Sequence, residues 1–156
     1  MAVDVRVAGN VSEFRTLHAL FLEYESDLPA DLRHGEVPPL AELEERYTGQ
    51  SRAFLALVEE RAIGCAAVRE FDSQTALLQR LFVTPTARGL GAACALVGVA
   101  IDFARTRAYR RIALDTNKEA LEPAYRLYRA LGFVECRPFT TVTYECPTFM
   151  ELVFEA

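Results

Sequence analysis

Six consecutive residues, Arg88-Gly89-Leu90-Gly91-Ala92-Ala93, stand between a β-type run and an apolar helical run, and their types suit a phosphorylated ligand. A helix start leaves four backbone N–H groups without partners and carries about half a positive charge, so it favours an anion placed on its axis. Gly89 and Gly91 let the backbone turn sharply and let an oxygen-rich ligand approach the amides, Arg88 adds a cation with planar donors, and Ala92 and Ala93 keep the first helical turn slim. Two other phosphate loops fail on these residues. A dinucleotide fingerprint wants a glycine or alanine where Cys94 stands, and a P-loop wants a lysine and a hydroxyl residue directly after the last glycine. Nucleotide hydrolysis is therefore disfavoured.

The elements that must position this turn follow from periodicity. Val3, Val5 and Val7 alternate with Asp4 and Arg6 as in a half-buried strand over residues 2–8. Asn10 and Glu13 form a capping pair, and Phe14, Leu17, Phe21, Tyr24 and Leu28 make a helical stripe, which predicts a helix over about 11–27. Pro29, Gly35, Pro38 and Pro39 break the chain before a short helix carrying Leu40, Leu43 and Tyr47. Residues 53–59 and 62–71 read as a hairpin joined by Glu60-Arg61, with 74–83 the next antiparallel strand, ended by Pro85. A helix over 90–107 carries the anion site. A strand over 111–116 follows, then a helix lined by Leu121, Ala124, Leu127, Tyr128 and Leu131 and stopped by Gly132, then closing strands over 133–139 and 149–154. The expected fold is mixed α/β, with about seven strands, mostly antiparallel, and about four helices. Its one parallel step spans the crossover helix.

A chain of 156 residues with 51% hydrophobic content suits one domain over 1–156. It has no apolar run long enough to span a membrane, and its start lacks a signal-peptide layout, so a cytoplasmic protein without membrane partners is expected. Cys65, Cys94, Cys136 and Cys146 form no Cys-x-x-Cys pair and read as reduced, buried thiols, while His18 and His34 give no ligand spacing, so no metal is expected. The net charge of −5 argues against nucleic acid. Between residues 23 and 45, Glu23, Glu25, Asp27, Asp31, Glu36, Glu42, Glu44 and Glu45 face one base, Arg33. Such a segment would favour a cationic amine if it borders a substrate entry, or forms a solvated helix face if it does not.

Three strings in order, Leu78-Gln79-Arg80-Leu81-Phe82-Val83-Thr84-Pro85, the Arg88–Ala93 turn, and Leu127-Tyr128-Arg129-Ala130-Leu131-Gly132-Phe133, resemble the GNAT superfamily of acetyl-CoA-dependent N-acetyltransferases. The family pattern of Arg or Gln, two residues, Gly, one residue, then Gly or Ala is met by Arg88, Gly91 and Ala93. The resemblance spans about residues 53–139 and implies a splayed central strand pair, with Leu81, Phe82 and Val83 parting from 112–114 to admit the pantetheine arm of acetyl-CoA. It implies that the Leu81 amide holds the acetyl carbonyl and that Tyr128 protonates the leaving thiolate. Residues 88–93, Ala124 and Tyr128 would line the cofactor, and Tyr24 and Tyr144 would wall the acceptor.

This chain departs from the family at two points. A glutamate common early in the fourth strand is replaced by Leu77, so base duty is open among Glu25, Glu70, Glu145 and a backbone-held water. An asparagine common near the cofactor is replaced by Leu121, with Asn117 as a substitute from the preceding turn. The resemblance implies transfer of an acetyl group to a small-molecule or amino-acid-like primary amine, with a homodimer plausible. The alternatives are a protein or peptide N-acetyltransferase and a non-catalytic acyl-CoA-binding module.

Overall fold

The structure, a computed structural model, describes residues 2–155. Asp4–Val7 (β1) leads into Val11–Asp27 (α1). The start of α1 is closed by Asn10 Oδ1, which accepts from the Glu13 N–H at 2.8 Å, and by Glu13 Oε1, which accepts from the Gly9 N–H at 3.0 Å. After a single 3₁₀ turn at Ala30–Leu32 come Leu40–Arg46 (α2), Arg52–Val58 (β2), Arg61–Asp72 (β3) and Thr75–Val83 (β4). Ala92–Thr106 (α3) crosses over to Arg111–Thr116 (β5), and Glu122–Ala130 (α4), Val134–Glu135 (β6) and Thr148–Val153 (β7) complete the chain.

Among the described residues seven strands form one sheet in the order β1-β2-β3-β4-β5-β7-β6, and of its neighbouring pairs only β4 and β5 run parallel. Helices α1 and α2 cover one face, where Phe14, Leu17, Phe21, Leu43 and Tyr47 pack on Leu55, Cys65, Ala67 and Phe82. Helix α3 covers the other, where Leu96, Val97, Ala100 and Ile101 join Ala66, Val68, Leu78, Ile112 and Leu114. Burying each large side chain contributes about 1.5–3 kcal/mol, so both faces must be covered for the sheet to persist.

Three local expectations differ from the structure. The β2–β3 turn falls on Glu59 and Glu60, both with positive φ (50° and 65°), because the Val58–Arg61 pair closes the hairpin one residue earlier than read. The strand expected over 133–139 shrinks to Val134–Glu135, since Pro138 has no N–H to continue a ladder. Only Cys65 is buried; Cys94 and Cys146 are exposed, at the first turn of α3 and in the loop before β7, and all four thiols are free.

The feature that matters for function is where the sheet stops being a sheet. β4 pairs with β5 only at Thr75–Arg111, Ala76–Ile112 and Leu77–Ala113, and beyond these the two strands part. On its other edge β4 stays paired to β3, but the register jumps from Ala67–Gln79 to Cys65–Phe82, so Arg80 and Leu81 both stand opposite Ala66. This is a β-bulge, with Arg80 in the left-handed region at φ 54°. Gly64 lets β3 and β4 close again past the bulge, because a Cβ there would lie 2.7 Å from Phe82 O and 3.3 Å from Leu96 Cδ1.

Gly64→Ala is therefore expected to cost about 1–3 kcal/mol, the usual penalty for overpacking. Gly98→Ala in α3, where an added Cβ meets nothing within 4 Å, is expected to stabilise by about 0.5–1 kcal/mol. Urea unfolding of the two variants checks both signs.

Candidate active site

The parting of β4 and β5 opens a cleft of about 1080 Å³. At one end stands the start of α3. Gly91 caps it at φ 85° and Gly89 precedes it at φ 90°, a backbone that other residues reach only with strain of about 1–2 kcal/mol. An added Cβ at either would meet nothing within 4 Å, so these positions are glycine for conformation rather than for protein packing. Ala95 is the first residue of α3 whose N–H reaches a carbonyl, Gly91 O at 3.0 Å. The amides of Ala92, Ala93 and Cys94 precede it at the cleft wall with no acceptor among the described residues. Arg88 also lines the cleft: its Nε donates to Val83 O at 3.1 Å and its Nη2 to Asp27 Oδ2 at 2.9 Å, which ties the end of β4 to the end of α1.

Tyr128 lines the same cleft. Helix α4 ends in a glycine motif in which the Phe133 N–H reaches Tyr128 O at 3.0 Å around Gly132, φ 102°, and the Tyr128 and Phe133 rings lie 5.7 Å apart. Among the described residues the Tyr128 hydroxyl has no hydrogen-bond partner, yet none of their enclosed side-chain polar atoms lacks one, so it opens onto the cleft. Burial first, and the charge of Asp115 second, push the Tyr128 phenol well above its ordinary value. It therefore stays a protonated donor throughout neutral pH.

Toward α1, Tyr24 lies edge-on to Phe82 at 6.1 Å, and Tyr144 donates to Asp115 Oδ2 at 2.7 Å, pinning the loop before β7 to β5. Burial raises both phenols, and the Asp115 hydrogen bond raises Tyr144 further. His34, Arg46, Arg69 and Arg80 complete this end.

The structure gathers Leu81, Phe82, Val83, Arg88, Gly89, Gly91, Ala92, Ala93, Ala124, Tyr128, Tyr24 and Tyr144 around the one cleft. Two expected residues lie outside its lining. The Leu90 side chain is 41% exposed to solvent. Asn117 spends its Oδ1 on the Glu119 and Ala120 N–H groups (3.1 and 3.0 Å), because an Asn at that point locks the turn before α4. Leu121, where the family has its asparagine, does line the cleft.

Nor does the structure free any expected carboxylate as a base. Glu25 is 8% exposed and engaged by three donors: His34 Nδ1 at 2.8 Å, the His34 N–H at 2.9 Å and Arg80 Nη1 at 3.3 Å. Glu70 accepts from Tyr109 OH at 2.7 Å, and neither it nor the exposed Glu145 lines the cleft. His34, Asp115, Arg46 and Arg69 are cleft residues that the sequence reading missed. Alternation along Ile112-Ala113-Leu114-Asp115 places Asp115 opposite the α3-facing residues and was a usable signal; nothing local marked His34.

Comparison with known proteins bears on the family and the fold. Residues 16–133 match the family described as Acetyltransferase (GNAT) family. An uncharacterized N-acetyltransferase of Schizosaccharomyces pombe is 30% identical over 139 residues, 86% of this chain and 83% of that protein. Among solved structures, a GNAT-family acetyltransferase from Staphylococcus aureus superposes with a TM-score of 0.80 at 19% identity, covering 99% of this chain and 100% of that one. A phosphinothricin acetyltransferase from Sinorhizobium meliloti, in complex with AcCoA, superposes with a TM-score of 0.80 at 22% identity, covering 98% and 89%. At these identities the structural matches speak for the fold.

The raised tyrosines make a stability prediction with a definite sign. A phenol whose folded value exceeds its unfolded value near 10 contributes fully below that pH and loses its contribution as pH rises toward the folded value. Tyr24, Tyr47, Tyr128 and Tyr144 are all raised, and Tyr109 is pushed up to about 12. Unfolding free energy measured by urea should be flat from neutrality to about pH 9 and fall steadily above about pH 10.

Proposed function

Since the chain belongs to the acetyltransferase (GNAT) family and is an acyltransferase by that membership, we propose that it moves an acetyl group from acetyl-CoA to the primary amine of a small, amino-acid-like acceptor. The observation that carries this reading is the single cleft in which unpaired helix-start amides, an unpaired strand edge and the free hydroxyl of Tyr128 converge.

The residues present fit acetyl-CoA as acyl donor. The amides of Ala92, Ala93 and Cys94, with Arg88 beside them, suit its diphosphate. The edge of Leu81, Phe82 and Val83, freed from β5, offers strand-like bonds to its amide-bearing arm. Acetyl-CoA supplies an activated thioester. Leu81 N–H, on the bulge, would stabilise charge growing on the carbonyl oxygen, and Tyr128 would give its proton to the departing sulfur. The raised Tyr128 phenol keeps that proton available until the thiolate stands beside it.

Electrostatics favour an acceptor bearing an anionic group. The cleft lining holds Arg46, Arg69, Arg80 and Arg88 against Asp27 and Asp115, and of the acids between residues 23 and 45 only Asp27 lines it. Arg80 is paired with Glu25, Arg46 with Glu42 and Arg88 with Asp27. Arg69 has no ion-pair partner among the described residues, which leaves its fork open to a carboxylate. This turns the reading away from a cationic amine drawn by the acidic segment and toward an amino acid. One continuous seven-stranded sheet supports a single domain over residues 1–156.

A thiol-release assay with acetyl-CoA against amino acids, polyamines and peptides tests the proposal. Turnover on amino acids supports it, and acetyl-CoA binding without turnover on any amine would overturn transfer. Tyr128→Phe should lower kcat by about a hundredfold or more while leaving acetyl-CoA affinity unchanged. Arg69→Ala should raise the acceptor KM by about tenfold without touching the acetyl-CoA KM.

A further inference from the structure

The strand glutamate is replaced by Leu77; Glu25, Glu70 and Glu145 are engaged or outside the cleft; and the two carboxylates that do line it, Asp27 and Asp115, accept from Arg88 and Tyr144. We propose that His34, held by Glu25, takes the proton from the incoming amine; this rests on the transferase reading above.

The argument is geometric. His34 lies in the segment between α1 and α2 and its ring lines the acceptor side of the cleft. Two bonds fix it to one carboxylate: its backbone N–H donates to Glu25 Oε2 at 2.9 Å and its Nδ1 faces Glu25 Oε1 at 2.8 Å. Its ring stacks on Tyr24 with centroids 5.8 Å apart and planes 22° from parallel. A carboxylate only accepts, so Nδ1 carries the hydrogen and Nε2 keeps a lone pair. Nε2 has no partner among the described residues, and the side chain, on a residue that lines the cleft, is 45% exposed rather than sealed in the core. Glu25 cannot itself reach substrate, since the buried carboxylate is capped by His34 and by Arg80 Nη1 at 3.3 Å. It is a positioning residue, fixing tautomer and ring plane as the carboxylate does behind a catalytic imidazole.

The proton balance closes. Nε2 removes one proton from the acceptor's ammonium and passes it to solvent. The neutral amine forms the new C–N bond as the C–S bond breaks, Tyr128 protonates the sulfur, and the second amine proton restores the Tyr128 phenol. No other reactant is needed. The charged and titratable groups around His34 are Glu25 and Tyr24 on α1, Arg46 on α2, Arg69 on β3, Arg80 on β4, Arg33 and Glu36 beside it in the chain, and Tyr144 near Tyr24.

The test is the pH profile of kcat/KM for wild type and His34→Gln on an amine that wild type acetylates. The proposal expects an acidic limb in wild type, its loss in the variant, a fall of about a hundredfold or more, and unchanged acetyl-CoA affinity as the sign of an intact fold. His34→Ala should regain turnover in proportion to added imidazole. Full activity with the acidic limb intact in His34→Gln overturns the assignment, and it does so without disturbing the transferase reading, which only an inactive wild type would sink. A second measurement stands apart from activity: nitrogen-15 NMR of the His34 ring should show hydrogen on Nδ1 and a bare Nε2. The opposite tautomer would overturn the proposal.

Discussion

A β-strand exposes a donor and an acceptor at every residue, and these groups must find partners. In this protein β4 and β5 satisfy one another for three residue pairs and then separate, leaving the edge from Leu78 to Val83 without a strand partner on that side. The bulge at Arg80 and Leu81 turns the backbone of β4 while its other edge stays bonded to β3. The crossover from β4 to β5 sets the start of α3 at the mouth of the same gap, and the glycine turn at the end of α4 sets Tyr128 against it. Each of these groups is gathered at the gap left where two neighbouring strands cease to pair.

Holding the strands apart has a conformational cost. Arg80 is a non-glycine residue at φ 54°, a state disfavoured by about 1–2 kcal/mol. Its side chain recovers part of this through the ion pair with buried Glu25 and through its approach to Phe21, 4.9 Å from the ring centre. The same contacts anchor α1 to the bulge. Arg88 makes a second tie, from Val83 O to Asp27. The helix that walls the acceptor end is thus fastened at two points to the strand that would bind the donor, so the two halves of the cleft are built as one unit.

Much of this was legible in the sequence because it depends on local signals. The Asn10–Glu13 cap, the stripe on the first helix, the Arg88–Ala93 turn and the stop at Gly132 each announce a backbone geometry within a few residues, and the structure has all four. What was not legible depends on side chains meeting across long separations. His34 finds Glu25 nine residues away through a loop with no periodicity, and Tyr144 finds Asp115 from 29 residues away. Asn117 offers itself in the sequence as a substitute for the family asparagine missing at Leu121, whereas its side-chain oxygen is consumed by the turn it starts. The hairpin turn was misplaced by one residue because two glutamates at positive φ carry none of the usual Asn or Gly signal.

The central claim is that the gap between β4 and β5 and the amides at the start of α3 form one binding site for coenzyme A. A crystal structure of the protein grown with coenzyme A tests it most directly. The account predicts the diphosphate within hydrogen-bonding distance of the backbone at Gly91–Cys94, and the thiol-bearing arm paired along Leu81–Val83 with its sulfur near Tyr128. A diphosphate bound away from those amides, or an arm running outside the strand gap, would contradict it.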